Sequence, residues 1–192
     1  MVWTKLGSTT LGSAGDLISV TGMTSSKFIN ILDHNIASGN IADYLTFNND
    51  STTKYAWRRS SNGLGDTTST GQAYINLNEQ GANDADFTVM QGSNISGEEK
   101  LFIHFMVNQG TAGAGTAPQR MEYVSKYVPS PDANITRTDL TNGSSGDFNT
   151  GSNVSVIGSD GVESLNVQDG AIYYSTDENK EFVLYNNAWT EL

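Results

Sequence analysis

An all-β chain is what this sequence predicts: a jelly-roll-like antiparallel β-sandwich followed by a small C-terminal β-meander. Three observations carry that expectation. Short runs rich in Ile, Val, Thr, Tyr and Phe recur between turn clusters, each about four to nine residues long, as strands are. No window sustains apolar residues at i, i+3, i+4 and i+7 between caps, so almost no helix is expected. Gly and Asn punctuate the runs, where a turn calls for positive φ.

In chain order the expected strands cover residues 17–20, 28–32, 44–47, 55–58, 73–77 and 87–90, then 101–107, 120–128, 135–140 and 154–157. Several alternate as half-buried strands do: Ile29 and Ile31 share a face, with Lys27, Asn30 and Asp33 off it or near its edge. Residues 101–107 are apolar on both faces, which suits a central strand of a sandwich. Turns are expected at Gly22, Asn62-Gly63, 94–97, 110–115 and Asn142-Gly143. The Gly-rich run 110–115 has no lysine after it and no helix to receive a phosphate, so it reads as a flexible hairpin tip. About ten strands at this spacing fit a two-sheet sandwich over residues 1–128.

Composition changes at Pro129. Pro129-Ser130-Pro131-Asp132 reads as an extended hinge, because each proline fixes its own φ and pushes its predecessor out of the helical region. Residues 141–152 read as a polar loop with almost nothing to bury, so 129–168 are expected to hold a hinge, this loop and additional strands. Residues 169–192 then form a miniature meander, with turns at 178–180 and Asn186-Asn187. It carries Tyr173, Tyr174, Phe182, Tyr185 and Trp189. So short a segment cannot bury five aromatics by itself. These five residues are therefore read as an assembly surface that must dock on the sandwich, on a partner or on copies of itself.

Composition also excludes several classes of function. The 192 residues include no cysteine, which removes disulfides, thiol catalysis and thiolate zinc sites. A net charge of −11 and a pI near 4.3, with ten scattered basic residues, argue against nucleic-acid partners and anionic membranes. No apolar h-region follows Met1-Val2-Trp3-Thr4-Lys5, so no signal peptide is expected. The run 101–107, interrupted by His104, is far too short to cross a bilayer, and no membrane insertion is expected. Sequons at Asn49, Asn94, Asn134, Asn142 and Asn153 are read as products of abundant Asn, Ser and Thr.

The residues with chemical potential are few. His104, spaced two residues from Phe102 and Met106, reads as a structural histidine, and His34 as a strand end or turn. Two separated histidines with no third ligand do not describe a zinc site. Carboxylate pairs occur at Asp84/Asp86 and Glu98/Glu99. Asn83-Asp84-Ala85-Asp86 offers oxygens to Ca²⁺ but lacks the glycine and distal glutamate of an EF-hand loop, and a solvated acidic loop is the favoured reading. No nucleophile elbow, Walker loop or dinucleotide fingerprint is present. No catalytic, metal or cofactor residue is assigned, and a non-enzymatic protein is expected.

One cluster suits a glycan: Tyr55, Trp57 and Arg59 on one side of a strand, Ala56 and Arg58 on the other, with Asn49 and Asp50 nearby. Aromatic faces stack on sugars while Asn, Asp and Arg bind hydroxyls. The favoured reading is a core aromatic pair with two edge arginines, or arginines paired with acids of a neighbouring subunit. The two ends of the chain also share Trp-Thr-x-Leu, at Trp3 to Leu6 and Trp189 to Leu192, which would let Lys5 face Glu191 if both segments pair as edge strands.

The pattern Gly170-x-Ile172-Tyr173-Tyr174-x-Thr176-x-x-Asn179-Lys180-x-x-x-Leu184-Tyr185-Asn186-x-x-Trp189 resembles a short module of tail-fibre and other virion proteins of bacterial viruses. Asn187 stands where that module has glycine. Trp3 with Leu6, Ser13-Ala14-Gly15-Asp16, Val20-Thr21-Gly22, and Phe47-Asn48-Asn49-Asp50 leading to Tyr55-Ala56-Trp57-Arg58 are similar to structural proteins of marine phages. The resemblance implies a non-enzymatic virion surface protein, a head decoration or a tail or fibre component, assembled in the host cytoplasm. Its implied partners are itself, as a homotrimer, other capsid or tail proteins, and host surface glycans. A monomeric carbohydrate-binding sandwich whose meander folds back on that sandwich is the alternative.

Overall fold

The computed structural model describes residues 2–81, 84–129, 133–161, 170–185 and 188–192. Among them the secondary structure is all β, with no helix. The strands are β1 (Thr4–Thr10), β2 (Leu17–Val20), β3 (Phe28–Ile36), β4 (Ile41–Phe47), β5 (Tyr55–Ser61), β6 (Thr67–Gln72), β7 (Ile75–Gln80) and β8 (Ala85–Ser93). They continue as β9 (Lys100–Asn108), β10 (Gln119–Tyr127), β11 (Thr138–Asn142), β12 (Asn153–Ser159), β13 (Ile172–Ser175), β14 (Lys180–Tyr185) and β15 (Ala188–Glu191).

Two sheets make the sandwich. The larger runs β1-β12-β3-β8-β9-β10-β5-β6 and the smaller β2-β11-β4-β7. The pairings β1 with β12, β2 with β11, β3 with β8 and β4 with β7 are nested and antiparallel. A chain doubled back as one long hairpin and rolled so that successive strand pairs fall alternately in two sheets gives this order. That is jelly-roll winding. Two hairpins, β5–β6 and β9–β10, are inserted into the roll, and both join the larger sheet, widening it to eight strands against four.

The winding corrects the expected domain boundary. The sandwich is one compact unit from Trp3 to Gly161 rather than 1–128. The composition change at Pro129 is real, yet β11 lies between β2 and β4, and β12 between β1 and β3, so the last two strands close both sheets. Nor is the 141–152 loop empty of buried residues: Phe148 is fully buried and bridges to Gly15 and Ala37. Ser130, Pro131 and Asp132 of the expected hinge lie outside the described residues, as do Asn83, residues 162–169 and the Asn186-Asn187 turn. Strands β1 and β6 were not expected. Their sequences, Thr-Lys-Leu-Gly-Ser-Thr-Thr and Thr-Thr-Ser-Thr-Gly-Gln, stand at the two edges of the large sheet, where no alternating apolar set is required. β1 pairs with β12, β15 pairs with β14, and Glu191 binds Lys180 at 2.8 Å.

Between the sheets lies one core. Ile18, Ile29, Ile31, Leu45, Phe47, Ile75, Met90, Phe102, Leu140, Val154 and Val156 are all buried there. Phe47 of the small sheet stacks on Phe102 of β9 at 5.0 Å, tying it to one inserted hairpin, and Tyr55 on Tyr127 at 4.8 Å joins the two hairpins. Asparagines fasten the loops. Asn94 donates to the carbonyls of Ser26 and Ile135 and accepts from the Ile135 amide at 2.7 Å, while Asn48 accepts from the amides of Thr136 and Arg137. Asn142 accepts from the amides of Ala42 and Ser144 and donates to Asp16. Each stands in for backbone partners that a loop cannot supply itself.

Gly92 lets β8 approach β9 closely. A Cβ there would lie 2.1 Å from Phe102 Cδ1 and 2.7 Å from the Leu101 carbonyl oxygen. Gly92→Ala is expected to lower stability by about 2 kcal/mol, read as a lower urea midpoint at unchanged slope. An unchanged midpoint would mean that the two strands yield at this point.

Candidate functional site

Strand pairing decides how the meander aromatics are arranged. β14 lies between β13 and β15, with Tyr173 opposite Phe182 and Leu184 opposite Trp189. Tyr173, Phe182, Leu184 and Trp189 therefore share one face of this three-stranded sheet. Tyr173 stacks on Phe182 at 5.1 Å and meets Trp189 edge-on at 4.7 Å. Tyr174 and Tyr185 belong to the opposite face with Ile172 and Val183, and the Tyr174 hydroxyl donates to Asn179. The five residues expected to act together are thus split three to two. Apart from half-buried Phe182 they are 42–64% exposed, so both faces of the sheet offer apolar area.

The residues of the expected glycan cluster are separated. Tyr55 is buried; its hydroxyl accepts from the Phe47 amide at 2.9 Å and donates to the Asp50 carbonyl at 2.8 Å. Burial pushes its pKa well above the ordinary tyrosine value. No sugar can stack on that ring. Trp57 and Arg59 follow Tyr55 on the inner face, where the Arg59 guanidinium lies 5.3 Å from the Trp57 ring centroid. Trp57 is half-buried and its Nε1 is enclosed without a protein partner.

Asp50 works as a loop clamp. Burial acts to raise its pKa, but hydrogen bonds from Thr52, Lys54 and Tyr127 outweigh that and hold the carboxyl at about 2. Asn49 stands exposed beside it in the left-handed region, at φ 56°. Of the five candidates, then, Tyr55 and Asp50 are engaged in structure, Trp57 and Arg59 hold each other, and Asn49 alone is free-standing.

The acidic loop reading at Asp84 and Asp86 also divides, at the start of β8, which Asp84 precedes and Asp86 lies within. Asp84 accepts from the Gly81 amide at 3.2 Å, whereas Asp86 is buried between the sheets. There it joins a group that the sequence did not bring to notice. Asp33 and Asn35 on β3, Asp43 on β4 and Asp86 on β8 are all buried. Asn35 Nδ2 donates to Asp33 at 3.0 Å and to Asp43 at 3.4 Å, and Asn35 lies opposite Asp86 in the sheet. Burial, then repulsion from Asp43, pushes Asp33 well above the ordinary carboxylate range against the pull of the Asn35 hydrogen bond. Asp86 is pushed the same way by burial and by Asp43 and Asp33.

Asp33 continues the face of Ile29 and Ile31 rather than leaving it. The period-two spacing carried that signal, but an aspartate at a core position ran against the usual cost of burying charge. Among the described residues no group of three or more His, Asp or Glu side chains has the geometry of a metal site. His104 is fully buried, its Nε2 2.6 Å from Ser125 Oγ and its ring stacked on Tyr123. Burial lowers its pKa to about 3, so the ring is neutral across the physiological range. Neither nitrogen is in contact with a carboxylate, and Nδ1 is buried without a protein partner.

Compared with protein-family models, with curated proteins and with solved structures, the chain gives no match.

The buried aspartates have a pH signature. Folded Asp33 keeps its proton to higher pH than the unfolded chain, where aspartate titrates near about 3.9. Its contribution is therefore full below that value and is lost as pH rises through the folded pKa. His104 acts oppositely: the unfolded state takes up its proton first, below about 6.5, and stability is lost as pH falls toward 3. Asp33→Asn removes the first effect and part of the push on Asp86, leaving that of His104 in place. Its stability relative to the wild type, followed by urea unfolding, is expected to rise as pH rises above about 4. Parallel profiles for the two proteins would sink this account.

Proposed function

We propose that the chain is a non-enzymatic structural protein of a phage virion surface that assembles with copies of itself through the C-terminal meander. The observation that carries this reading is the meander's two apolar faces. Tyr173 and Trp189 are exposed on one, Ile172 and Tyr185 on the other, in a unit separate from the sandwich. A three-stranded sheet of this size needs at least one face covered for independent stability. Burial of these side chains on association stabilises at about 25 cal/mol per Å².

Jelly-roll winding supports the reading more weakly, because the same architecture serves capsid and lectin domains alike. The resemblance of Gly170 to Trp189 to a fibre-associated module supplies the expectation of three-fold symmetry and of a place on a head, tail or fibre. Contact with host glycans remains part of the proposal through loop tips and exposed polar strands rather than through Tyr55. The carbohydrate-module alternative loses its stacking platform with that residue.

The test is the solution mass of the full chain by light scattering across a dilution series. A particle of three 20.6 kDa chains, or of a whole multiple of three, is expected, with the Tyr185→Ser/Trp189→Ser double variant falling to a lower mass at unchanged circular dichroism. A wild type that is monomeric throughout, or a double variant of undiminished mass, would refute assembly through the meander.

A further inference from the structure

Strand β9 is apolar on both faces, but only one faces the core. Phe102, His104 and Met106 point inward and are buried. Leu101, Ile103, Phe105 and Val107 point outward. With Phe87 opposite Val107 and Val124 opposite Ile103, they form one contiguous patch on the outside of the large sheet. These six side chains are 41–60% exposed. They present roughly 500 Å² of apolar surface, at the upper end of what a monomer shows in a single patch.

The charges around the patch are balanced. Lys126, opposite Leu101, binds Glu99 at 2.9 Å; Arg58, opposite Val124, binds Asp66 at 3.0 Å; and Arg120, opposite Val107, lies 3.8 Å from Glu122. Three cations and three acids cancel, on a chain whose net charge is −11. Two copies of so acidic a chain repel one another over most orientations. At this face they meet with no net charge and with both signs at each rim.

We infer that the outer face of the large sheet is a homotypic interface, on which a second copy of this chain packs sheet against sheet about a two-fold axis. Joining two such patches removes roughly 1,000 Å² of surface before the rim is counted, which reaches the size at which specific interfaces begin. A two-fold contact uses the same patch on both copies, so each rim cation can face its counterpart's acid. None of these residues belongs to the meander, so the inference stands apart from the assembly proposed above.

The experiment compares three full-length proteins by light scattering over one concentration range: wild type, Ile103→Lys/Phe105→Lys, and Tyr185→Ser/Trp189→Ser. The Lys substitutions fall at exposed positions, and circular dichroism with urea unfolding checks that the fold survives. Loss of the two-fold contact is expected to halve the particle mass in the Lys variant, and Val124→Lys on the neighbouring strand must give the same halving. In the Ser variant the two-fold contact persists and the smallest stable particle is a dimer. A Lys variant with the mass of the wild type overturns the inference while leaving meander assembly standing. A wild type that stays monomeric overturns both and assigns the face to an unlike partner. A Ser variant that is monomeric while the Lys variant keeps full mass assigns all association to the meander.

Discussion

The sandwich depends on β12 entering between β1 and β3. That single insertion brings residues 153–159 against 4–10 on one side and 28–34 on the other. It fixes the nested winding, because every earlier pair must already lie in its sheet for the last strand to find both neighbours. A slip of one residue would turn Val154 and Val156 outward and bring Ser155 and Ile157 into the core. Gly158 holds the register from within: a Cβ there would stand 2.6 Å from both Leu6 Cδ1 and Ser26 Oγ. The two hairpins inserted into the roll add to the large sheet without altering this closure.

Closing a polar chain into such a roll leaves many groups to satisfy, and side chains do much of the work. Asn48, Asn94 and Asn142 take the place of backbone partners where strands end. Lys100, fully buried on β9, donates to the Ile95 and Glu98 carbonyls and so binds the turn that precedes its own strand. The abundance of Asn, Ser and Thr is thus a structural device more than a sign of solvent exposure. The aspartate group on β3, β4 and β8 differs: it spans both sheets and holds acids close enough to repel. It trades stability near neutrality for a polar lock between the layers, the kind of buried group that favours one register over its neighbours.

The all-β class was legible because strand periodicity needs only local sequence, and Ile29, Ile31, Leu101 and Val154 announce their strands. Winding was legible only in outline, since the neighbours of β12 lie more than a hundred residues away in the chain. The polar edges β1 and β6 carried no alternation to read. Proline at 129 marked a loop, but nothing local distinguishes a loop inside a roll from a linker between domains. In the meander the aromatic count was correct, yet their division between two faces follows from the pairing of Tyr173 with Phe182 and of Leu184 with Trp189. Asp33 and Asp43 stayed hidden because a core aspartate violates the rule by which cores are recognised.

The outer patch and the meander pose one physical problem twice. Each is apolar surface that the chain's own described elements leave exposed, and the two sit on separate compact units. A contact that closes on itself about a two-fold axis makes a dimer and stops; a cyclic contact makes a ring and stops. A chain carrying one of each does not stop unless the two axes meet in a closed point group. Where they do not, every ring is joined to its neighbours and the product is a sheet or shell. The inserted hairpins matter for this reason. Without β9 and β10 the roll would still close through β12, but the large sheet would lack the strands that carry most of the outer patch, and only the proposed meander contact would be left.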